Sequence, residues 1–421
     1  MVIILVQLKG FQKLTPVEEA LQKFLKELQL RKPRAVVTPL GSALNRILAE
    51  DVVAKENLPR FDRSAVDGYA VKAEDTFEAS QFKPKVLQIT NKREIGERQA
   101  KQVWTGNPIP KGANAVLMLE NTRRVNGKIE VWIPVAPGEN ICKEGEDVSK
   151  GEVAVKAGIR LKPQHLALMA ALGIKEVKVF DKPKIALLAT GNELVEIGVK
   201  PRENQIFEVN RLALSALCQE LGAETLDLGI VKDNATEIAE RIKFGIEKAD
   251  MVITTGGTSV GVSDVVPMAV NSLGKPGVLV HGVAMRPAMP TALAVVNKKP
   301  VIILSGNPVA AMIAFEVFAR PLICKMLGLK NVEARPKLKA KITRRTATVL
   351  GRKTFIRVRV FQQRNGEFFA DPISTSGSGV ITTMTKANGY VIAPENREGL
   401  EEGESVTVHL FDDVEVVDED V

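Results

Sequence analysis

Short apolar runs alternate with amphipathic segments through the middle of the chain. Four runs have the length and composition of buried strands, at residues 184–189, 224–230, 251–253 and 300–304. Each is followed by an amphipathic segment of helical length, at residues 207–221, 235–248, 264–273 and 309–327. Strands that alternate with helices need crossover connections, so the pattern predicts a doubly wound, mostly parallel α/β sheet with helices on both faces.

Each predicted strand ends in a polar tip. The tips are Thr190-Gly191-Asn192-Glu193, Lys232-Asp233-Asn234, Gly256-Gly257-Thr258-Ser259 and Ser305-Gly306-Asn307-Pro308. Ligands of such sheets bind beyond the carboxyl ends of the strands, so we expect all the tips on one rim. Paired glycines leave backbone N–H groups free to converge on an anion, although a glycine pair after a strand is also typical of a simple turn. The acids Glu193, Asp233 and Asp264 are candidates there for binding a cation or transferring a proton.

The patterns change on both sides of this α/β segment. Residues 40–48 and 163–172 predict short helices, while residues 72–150 contain short β-like runs broken by Gly and Pro. After residue 329, alternating runs and the hairpin signal Asn365-Gly366 predict a small C-terminal barrel. A polar loop contains Asp67-Gly68, a dipeptide typical of a hairpin turn, and a binding loop is the alternative.

Composition narrows the possible functions. The 421 residues are enough for several domains. The net charge of +8 is not gathered into Lys or Arg runs and only 5% of residues are aromatic, which argues against nucleic-acid binding and is compatible with an anionic small molecule. The apolar start of the chain is too short to span a bilayer. Three widely spaced cysteines and three histidines predict a reduced, cytoplasmic protein in which any metal is a hard cation held by carboxylates.

Six motifs resemble those of the MoeA family, the molybdopterin molybdenumtransferases, and of the homologous E domain of gephyrin. The resemblance is collinear over essentially the whole chain. The motifs are residues 61–70 (FDRSAVDGYA), Thr105-Gly106, Gly145-Glu146-Asp147, residues 189–194 (ATGNEL), residues 256–261 (GGTSVG) with Asp264, and Ser305-Gly306-Asn307-Pro308-Val309. The first and fifth motifs are specific to the family, whereas the Thr-Gly-Asn-Glu and Gly-Gly segments alone would also fit the smaller MogA/MoaB-type molybdopterin adenylyltransferases.

The resemblance implies four domains and a homodimer. The domains are a helical linker domain of residues 1–50 and 150–180, an inserted β-rich domain of residues 51–149, a MogA/MoaB-like α/β domain of residues 181–330 and a C-terminal β-barrel of residues 331–421. In the homodimer the α/β domain of one subunit faces loops of the other, so the active site is composite. A molybdopterin adenylyltransferase and molybdoenzyme-maturation proteins are expected partners, whereas nucleic acid and membranes are not.

The resemblance also implies a reaction. Members of the family take adenylylated molybdopterin and molybdate, insert the metal into the dithiolene and release AMP, assisted by Mg²⁺. On this basis Glu193, Asp233 and Asp264 hold the cation, and Asp67, Thr105 and Asp147 come from loops of the other subunit. Substrate-binding and anion-binding residues are expected at Thr190, Gly191, Gly256, Gly257, Thr258, Ser259, Gly306, Asn307 and Pro308 and, near the oxyanion, at Arg286, Arg357 and Ser378.

Two departures from the family pattern leave alternatives open. Ala288-Met289 stand where the family usually has Gly-Lys, and Ser305 stands where it typically has proline. Molybdate and tungstate are nearly isosteric, so a tungstate-specific paralogue is one alternative. An adenylyltransferase shares the rim but needs neither the β-rich insertion nor the barrel, and a non-catalytic scaffold is a further alternative. For Arg357 and Ser378 the alternative is an ordinary pair on the barrel surface.

Overall fold

The computed structural model describes residues 14–258, 265–329, 335–373 and 378–417. The chain divides into two compact units, one formed by residues 37–179 and the other by the residues before 37 together with those from 180 onward. The predicted site residues Ser259 and Asp264 lie outside the described ranges.

The unit of residues 37–179 is built mainly from β-strands. Its main sheet has six strands, in the spatial order Ala115–Met118, Gly68–Val71, Gln99–Val103, Lys85–Ile89, Lys128–Val131 and Thr122–Val125. The shorter elements are the pairs Arg63–Ser64 with Ile141–Cys142, Val52–Val53 with Val153–Val155, and Ala35–Pro39 with Glu176–Phe180, the 3-10 turns Leu40–Ser42, Ala73–Thr76 and Leu119–Asn121, and the helix Pro163–Ala171. Tyr69, Leu87 and Ile129 pack into the core of the main sheet.

The prediction of a helix at residues 40–48 is wrong beyond its first turn. Only Leu40–Ser42 is helical. Ile47 and Leu48 are buried, and their backbones form β-bridges with Arg160 and Val179. Burial of these two side chains against the rest of the unit therefore outweighs the local helical pattern.

The Asp67-Gly68 dipeptide does not form a hairpin turn. Gly68 begins a central strand and pairs with Val103 on one side and Met118 on the other. A Cβ at Gly68 would lie 1.8 Å from the Leu117 carbonyl oxygen. The glycine is thus required by a close approach of neighbouring strands, and Asp67 stands at the point where the loop enters the sheet.

The second unit contains the predicted α/β sheet. Its six strands, in spatial order, are Glu224–Val231, Lys184–Thr190, Met251–Thr255, Lys299–Leu304, Ala292–Val296 and Gly277–His281. The first four are parallel, as predicted, and the last two form an antiparallel edge that the sequence pattern does not reveal. The other elements are the pair Leu194–Val195 with Ile206–Phe207, and the helices Asn210–Leu221, Ala235–Lys248, Val265–Ser272, Pro308–Ala314, Phe315–Ala319 (a π-helical turn) and Arg320–Met326.

The helix Val17–Glu27 belongs to the same unit and packs on the antiparallel edge of the sheet, against Gly277–His281 and Ala292–Val296. Its buried side chains, Val17 and Phe24 among them, form one face of an amphipathic helix. None of the helices in the described ranges has the length and apolar character needed to cross a membrane.

The C-terminal strands close into a barrel. Lys353–Gln363 pairs with both Phe368–Pro372 and Gly389–Ala393, and Lys337–Ile342 with Ser405–Leu410 completes the ring. The smaller elements are the strands Met285–Arg286 and Glu415–Val417, which add to the barrel, the pair Thr346–Ala347 with Gly399–Leu400, and the helix Thr382–Thr385. The predicted multidomain fold class, with its mostly parallel α/β sheet, β-rich part and C-terminal barrel, is confirmed, while the exact domain boundaries stay predictions.

Candidate active site

A cleft of about 460 Å³ lies at the carboxyl ends of the parallel strands, and we call it the rim cleft. It is lined by residues from all the predicted polar tips: Thr190, Gly191, Glu193, Asp233, Gly256, Gly257, Thr258, Ser305, Gly306 and Asn307. Pro308 does not line the cleft and instead begins the helix that follows. The polar tips therefore meet on one rim of the sheet.

Gly256 and Gly257 bring the backbone close to the neighbouring strand. Both have positive φ angles, of 89° and 62°. A Cβ on Gly256 would lie 2.1 Å from the Thr190 carbonyl oxygen, and one on Gly257 would lie 2.5 Å from Val266 Cγ2. Only glycine fits both the conformation and the space, so the loop exposes its backbone to the cleft.

Glu193 and Asp233 bring carboxylates to the rim cleft. Asn192 Nδ2 donates a hydrogen bond to Asp233 Oδ2 (3.1 Å), and the Asp233 N–H donates one to Asn192 Oδ1 (3.3 Å). The Glu193 carboxylate lies beside Gly191, where an added Cβ would come within 2.8 Å of Glu193 Oε2. In the described part of the chain, neither carboxylate has a Lys or Arg partner.

These two acids fit a magnesium ion. Asp264, the third predicted ligand, lies outside the described ranges, and within those ranges no three His, Cys, Asp or Glu side chains gather into a metal site. Mg²⁺ commonly takes only one or two protein carboxylates, because substrate phosphates and water supply its other ligands. Glu193 and Asp233, turned to a cleft and without cationic partners, have this donor chemistry.

A second cleft, of about 380 Å³, lies where the α/β segment meets the barrel, and we call it the arginine cleft. The strand Met285–Arg286 pairs there with the start of Lys353–Gln363, which places Arg286 opposite Thr354. Its described lining contains no Asp or Glu and consists of Met285, Arg286, Pro287, Ala288, Met289, Pro290, Arg352, Thr354, Phe355, Arg357 and Ser378. Met289 and Pro290 also line the rim cleft, so the two clefts adjoin.

Arg357 gives the arginine cleft a buried positive charge. Arg357 lines the cleft and is only 3% exposed, which argues against an ordinary pair on the barrel surface. Burial, and after it the positive charge of Arg286, lower the pKa of Arg357. Two cations near each other in a partly dry site repel, and an anion between them relieves that repulsion. The electrostatics of the cleft therefore favour an anionic ligand.

Ser378 lies at the junction of the two clefts. Its Oγ accepts a hydrogen bond from Asn307 Nδ2 (2.8 Å), and its carbonyl oxygen accepts one from the Val309 N–H (3.2 Å). The barrel loop is thereby tied to the Gly-Asn-Pro turn of the rim.

Asp67, Thr105 and Asp147 lie in the β-rich unit. Asp67 Oδ1 accepts hydrogen bonds from the Thr105 N–H (2.7 Å) and from Thr105 Oγ1 (2.8 Å). The backbone bond first, and then the hydroxyl bond, lower the pKa of Asp67, so this exposed carboxylate is ionised. Asp147 is also exposed, and its N–H donates to the Leu58 carbonyl oxygen (3.0 Å). No hydrogen bond between described residues joins Asp147 to Asp67 or Thr105.

Sequence reasoning missed several residues that line the two clefts, among them Asn210, Arg352 and Thr354. Asn210, 6% exposed, lines the rim cleft and donates from Nδ2 to the Gly306 carbonyl oxygen (2.8 Å). The sequence gives only one indication of this position: Asn210 is a polar residue at the start of the helix that follows the tip Thr190-Gly191-Asn192-Glu193. Arg352 and Thr354 line the arginine cleft, and an arginine before a strand gives no signal that separates it from ordinary surface charge.

Family models match most of the chain. Residues 15–173 match the model described as MoeA N-terminal region (domain I and II), and residues 339–411 match the MoeA C-terminal region (domain IV). Residues 186–325 match the model described as "Probable molybdopterin binding domain".

Full-length relatives decide the assignment. A protein of Haemophilus influenzae named molybdopterin molybdenumtransferase is 33% identical over 94% of this chain and 98% of its own, and one of the same name from Bacillus subtilis is 36% identical over 88% and 89%. This chain belongs to the MoeA family. The resemblance drawn from the six motifs is confirmed.

The MoeA fold is shared with solved structures. The structure described as molybdopterin biosynthesis moeA protein from Pyrococcus horikoshii OT3 is 35% identical and superposes with a TM-score of 0.80, covering 95% of this chain and 100% of that chain. A protein of Methanocaldococcus jannaschii that is described as a molybdopterin biosynthesis protein is 38% identical over 97% of this chain and 98% of its own. These similarities span both the α/β segment and the barrel, so both clefts lie within the part of the chain that the MoeA proteins have in common.

Proposed function

We propose that this chain is a molybdopterin molybdenumtransferase, which takes adenylylated molybdopterin and molybdate, inserts the metal into the dithiolene and releases AMP. The observation that carries the proposal is the adjacency of two clefts of opposite character. The rim cleft carries Glu193 and Asp233, the arginine cleft carries Arg286 and Arg357, and both include Met289. A phosphoanhydride beside an oxyanion needs these two environments side by side.

In the rim cleft, the backbone of Gly256 and Gly257 and the hydroxyl of Thr258 hold and orient the phosphates of the adenylate. Glu193 and Asp233, together with Asp264, would hold Mg²⁺, which supplies positive charge against the phosphates and the leaving AMP when bound. Asn192 keeps the Asp233 carboxylate in place through the two hydrogen bonds described above.

In the arginine cleft, Arg286 and Arg357 bind the oxyanion through charge-assisted hydrogen bonds, and the Ser378 hydroxyl adds a donor. Molybdate is a tetrahedral dianion, and a cleft lined by guanidinium groups without carboxylates matches its charge. The cleft excludes part of the surrounding water, so each of these bonds is stronger than it would be on an open surface.

The remaining predicted residues fit a composite site in a cytoplasmic homodimer. In this arrangement Asp67, Thr105 and Asp147 of one subunit complete the rim cleft of the other. The proposal is supported by the fixed, ionised Asp67 carboxylate, which stands exposed with its Thr105 partner. A molybdopterin adenylyltransferase would deliver the adenylate, and maturation proteins of molybdoenzymes would receive the product.

The test is to incubate the purified chain with adenylylated molybdopterin, Mg²⁺ and either molybdate or tungstate and to follow AMP. The wild type is expected to release AMP only when molybdate is present, and Glu193→Ala or Asp264→Ala is expected not to. Release with tungstate alone would reassign the chain to a tungstate-specific paralogue. Binding of the adenylate without release in any condition would contradict a transferase and leave a scaffold.

A further inference from the structure

Arg352 differs from four other arginines of the barrel in having no acidic partner among the described residues. Arg344, Arg345, Arg359 and Arg397 face Asp371, Glu401, Glu415 and Glu404 at N–O distances of 3.4, 3.4, 2.6 and 2.5 Å. The Arg352 side chain makes no hydrogen bond or ion pair with any described residue. Arg352 lines the arginine cleft, and no carboxylate is among the described residues of that lining. An arginine that has no carboxylate partner and borders a cavity is expected to bind an anion that is not part of the chain.

The backbone around Arg352 is held on both sides. The Gly351 N–H donates to the Glu395 carbonyl oxygen (2.7 Å), and the Lys353 N–H donates to the Ala284 carbonyl oxygen (2.9 Å). The Arg352 carbonyl oxygen itself accepts a hydrogen bond from Thr354 Oγ1 (3.2 Å). Since the Cα position is fixed by these bonds, only side-chain rotamers remain to be ordered when a ligand binds.

The charge of the cleft supports a shared role for its three arginines. Arg357 is buried, Arg286 and Arg352 are half-buried at the wall, and no Asp or Glu is among the described residues that line the cleft. We infer that Arg352 is a third binding residue for the oxyanion, donating to it together with Arg286 and Arg357. This inference rests on the proposed function for the identity of the anion. Guanidinium forks present paired N–H groups that match the oxygens of a tetrahedral anion.

Met289 offers a way to test whether charge is what Arg352 contributes. Its uncharged side chain lines the same cleft as Arg352. A lysine introduced at this position would return one positive charge to the cleft from a different wall. Rescue of an Arg352 variant by such a lysine would be explained by a shared anion and not by a packing role of Arg352.

The experiment is calorimetric titration of the full-length protein with molybdate and, separately, tungstate, with no nucleotide substrate present. We expect Arg352→Gln to raise the Kd for molybdate about tenfold or more. The matched control is Arg344→Gln, which removes the same charge from the same barrel but from the pair with Asp371, and its Kd is expected to stay within about twofold of wild type. Adding Met289→Lys to Arg352→Gln is expected to recover most of the lost affinity.

Arg352→Lys keeps the charge but loses the paired donors, so its Kd for molybdate is expected to lie between those of the wild type and Arg352→Gln. If Arg352→Gln does not fold, the Kd of Arg352→Lys tests the inference in its place. Equal Kd values for Arg352→Gln and Arg344→Gln would overturn the inference, as would a wild type that binds neither oxyanion. Failure of the proposed function has a different outcome: the wild type binds molybdate, and Arg352 variants bind it less well, but no AMP is released from adenylylated molybdopterin.

Discussion

The side-chain amide of Asn307 donates a hydrogen bond of 2.8 Å to Ser378 Oγ, and this bond connects the α/β rim with the barrel. Asn307 lines the rim cleft and Ser378 lines the arginine cleft. A substrate that occupies both clefts therefore passes this pair. We expect the adenylate on the Asn307 side of the bond and the oxyanion on the Ser378 side.

Loss of the hydrogen bond between Asn307 and Ser378 should weaken the binding of molybdate, whichever of the two residues is substituted. Ser378→Ala removes a hydroxyl from the arginine cleft, and Asn307→Ala leaves that hydroxyl without its partner, so both are expected to raise the KM for molybdate. The two effects should overlap, with a coupling energy of about 0.5–1.5 kcal/mol in a double-mutant cycle. Steady-state AMP release measures it. Effects of the two substitutions that simply multiply would show that the bond does not position Ser378.

Mixing two inactive variants tests the composite site. Asp67→Ala and Glu193→Ala are each expected to be inactive, because each removes a carboxylate from every site of a homodimer. If one site takes Asp67 from one subunit and Glu193 from the other, an equal mixture that exchanges subunits regains one intact site per mixed dimer, or about a quarter of wild-type activity. AMP release after co-refolding or co-expression checks this. A mixture that stays inactive although mixed dimers have formed would place both residues in one subunit's site.

Gly256 should be far less tolerant of a side chain than a glycine of similar conformation elsewhere in the sheet. Gly229 has a φ of 80° and open space where a Cβ would stand. Gly229→Ala should therefore lower the free energy of unfolding only by the strain of an alanine in the left-handed conformation, about 1 kcal/mol. Gly256→Ala adds the contact of 2.1 Å with the Thr190 carbonyl oxygen, and its cost should exceed that of Gly229→Ala by at least about 2 kcal/mol. Calorimetric unfolding of both variants measures the difference. Equal losses would mean that the loop shifts freely at Gly256.

His409 should make the protein less stable in mild acid. Burial, and then the positive charge of Lys337 on the neighbouring strand, lower the pKa of His409 from its ordinary value of 6.5. Above pH 6.5 the side chain is neutral in both the folded and the unfolded chain, whereas below it the unfolded chain takes up the proton more readily, so stability is lost as the pH falls. The Tm of the wild type should therefore fall more steeply below pH 6.5 than that of His409→Phe, which keeps a ring against Tyr390. Parallel Tm profiles of the two proteins would contradict this account.

Much of the fold follows from local periodicity, because the α/β segment repeats a strong strand and helix pattern. The helix predicted at residues 235–248 is observed as Ala235–Lys248, and the predicted strand at 224–230 is observed as Glu224–Val231. The antiparallel edge strands Gly277–His281 and Ala292–Val296 escaped prediction, since no helix separates them from each other or from Lys299–Leu304, and the alternation of strand and helix that reveals the parallel strands is missing there.

The candidate site was predictable where it depends on strand ends and not where it depends on packing between distant segments. Glu193 and Asp233 follow parallel strands, and the topology alone brings them to one rim. Arg352 reaches its cleft because Met285–Arg286 pairs with the barrel strand Lys353–Gln363, which no local pattern specifies. The fixed position of Asp67 likewise depends on Thr105, a residue 38 positions away in the chain.

The most direct test of the account is to measure, in one reaction, the AMP released and the molybdenum retained in the pterin product. Wild-type protein supplied with adenylylated molybdopterin, Mg²⁺ and molybdate should form the two in equal amounts, and Glu247→Gln, on an exposed helix face away from both clefts, should do the same. Glu193→Gln and Asp233→Asn should form neither. Release of AMP without retained molybdenum, or at the same rate when molybdate is omitted, would contradict the claim that the two clefts act together in metal transfer.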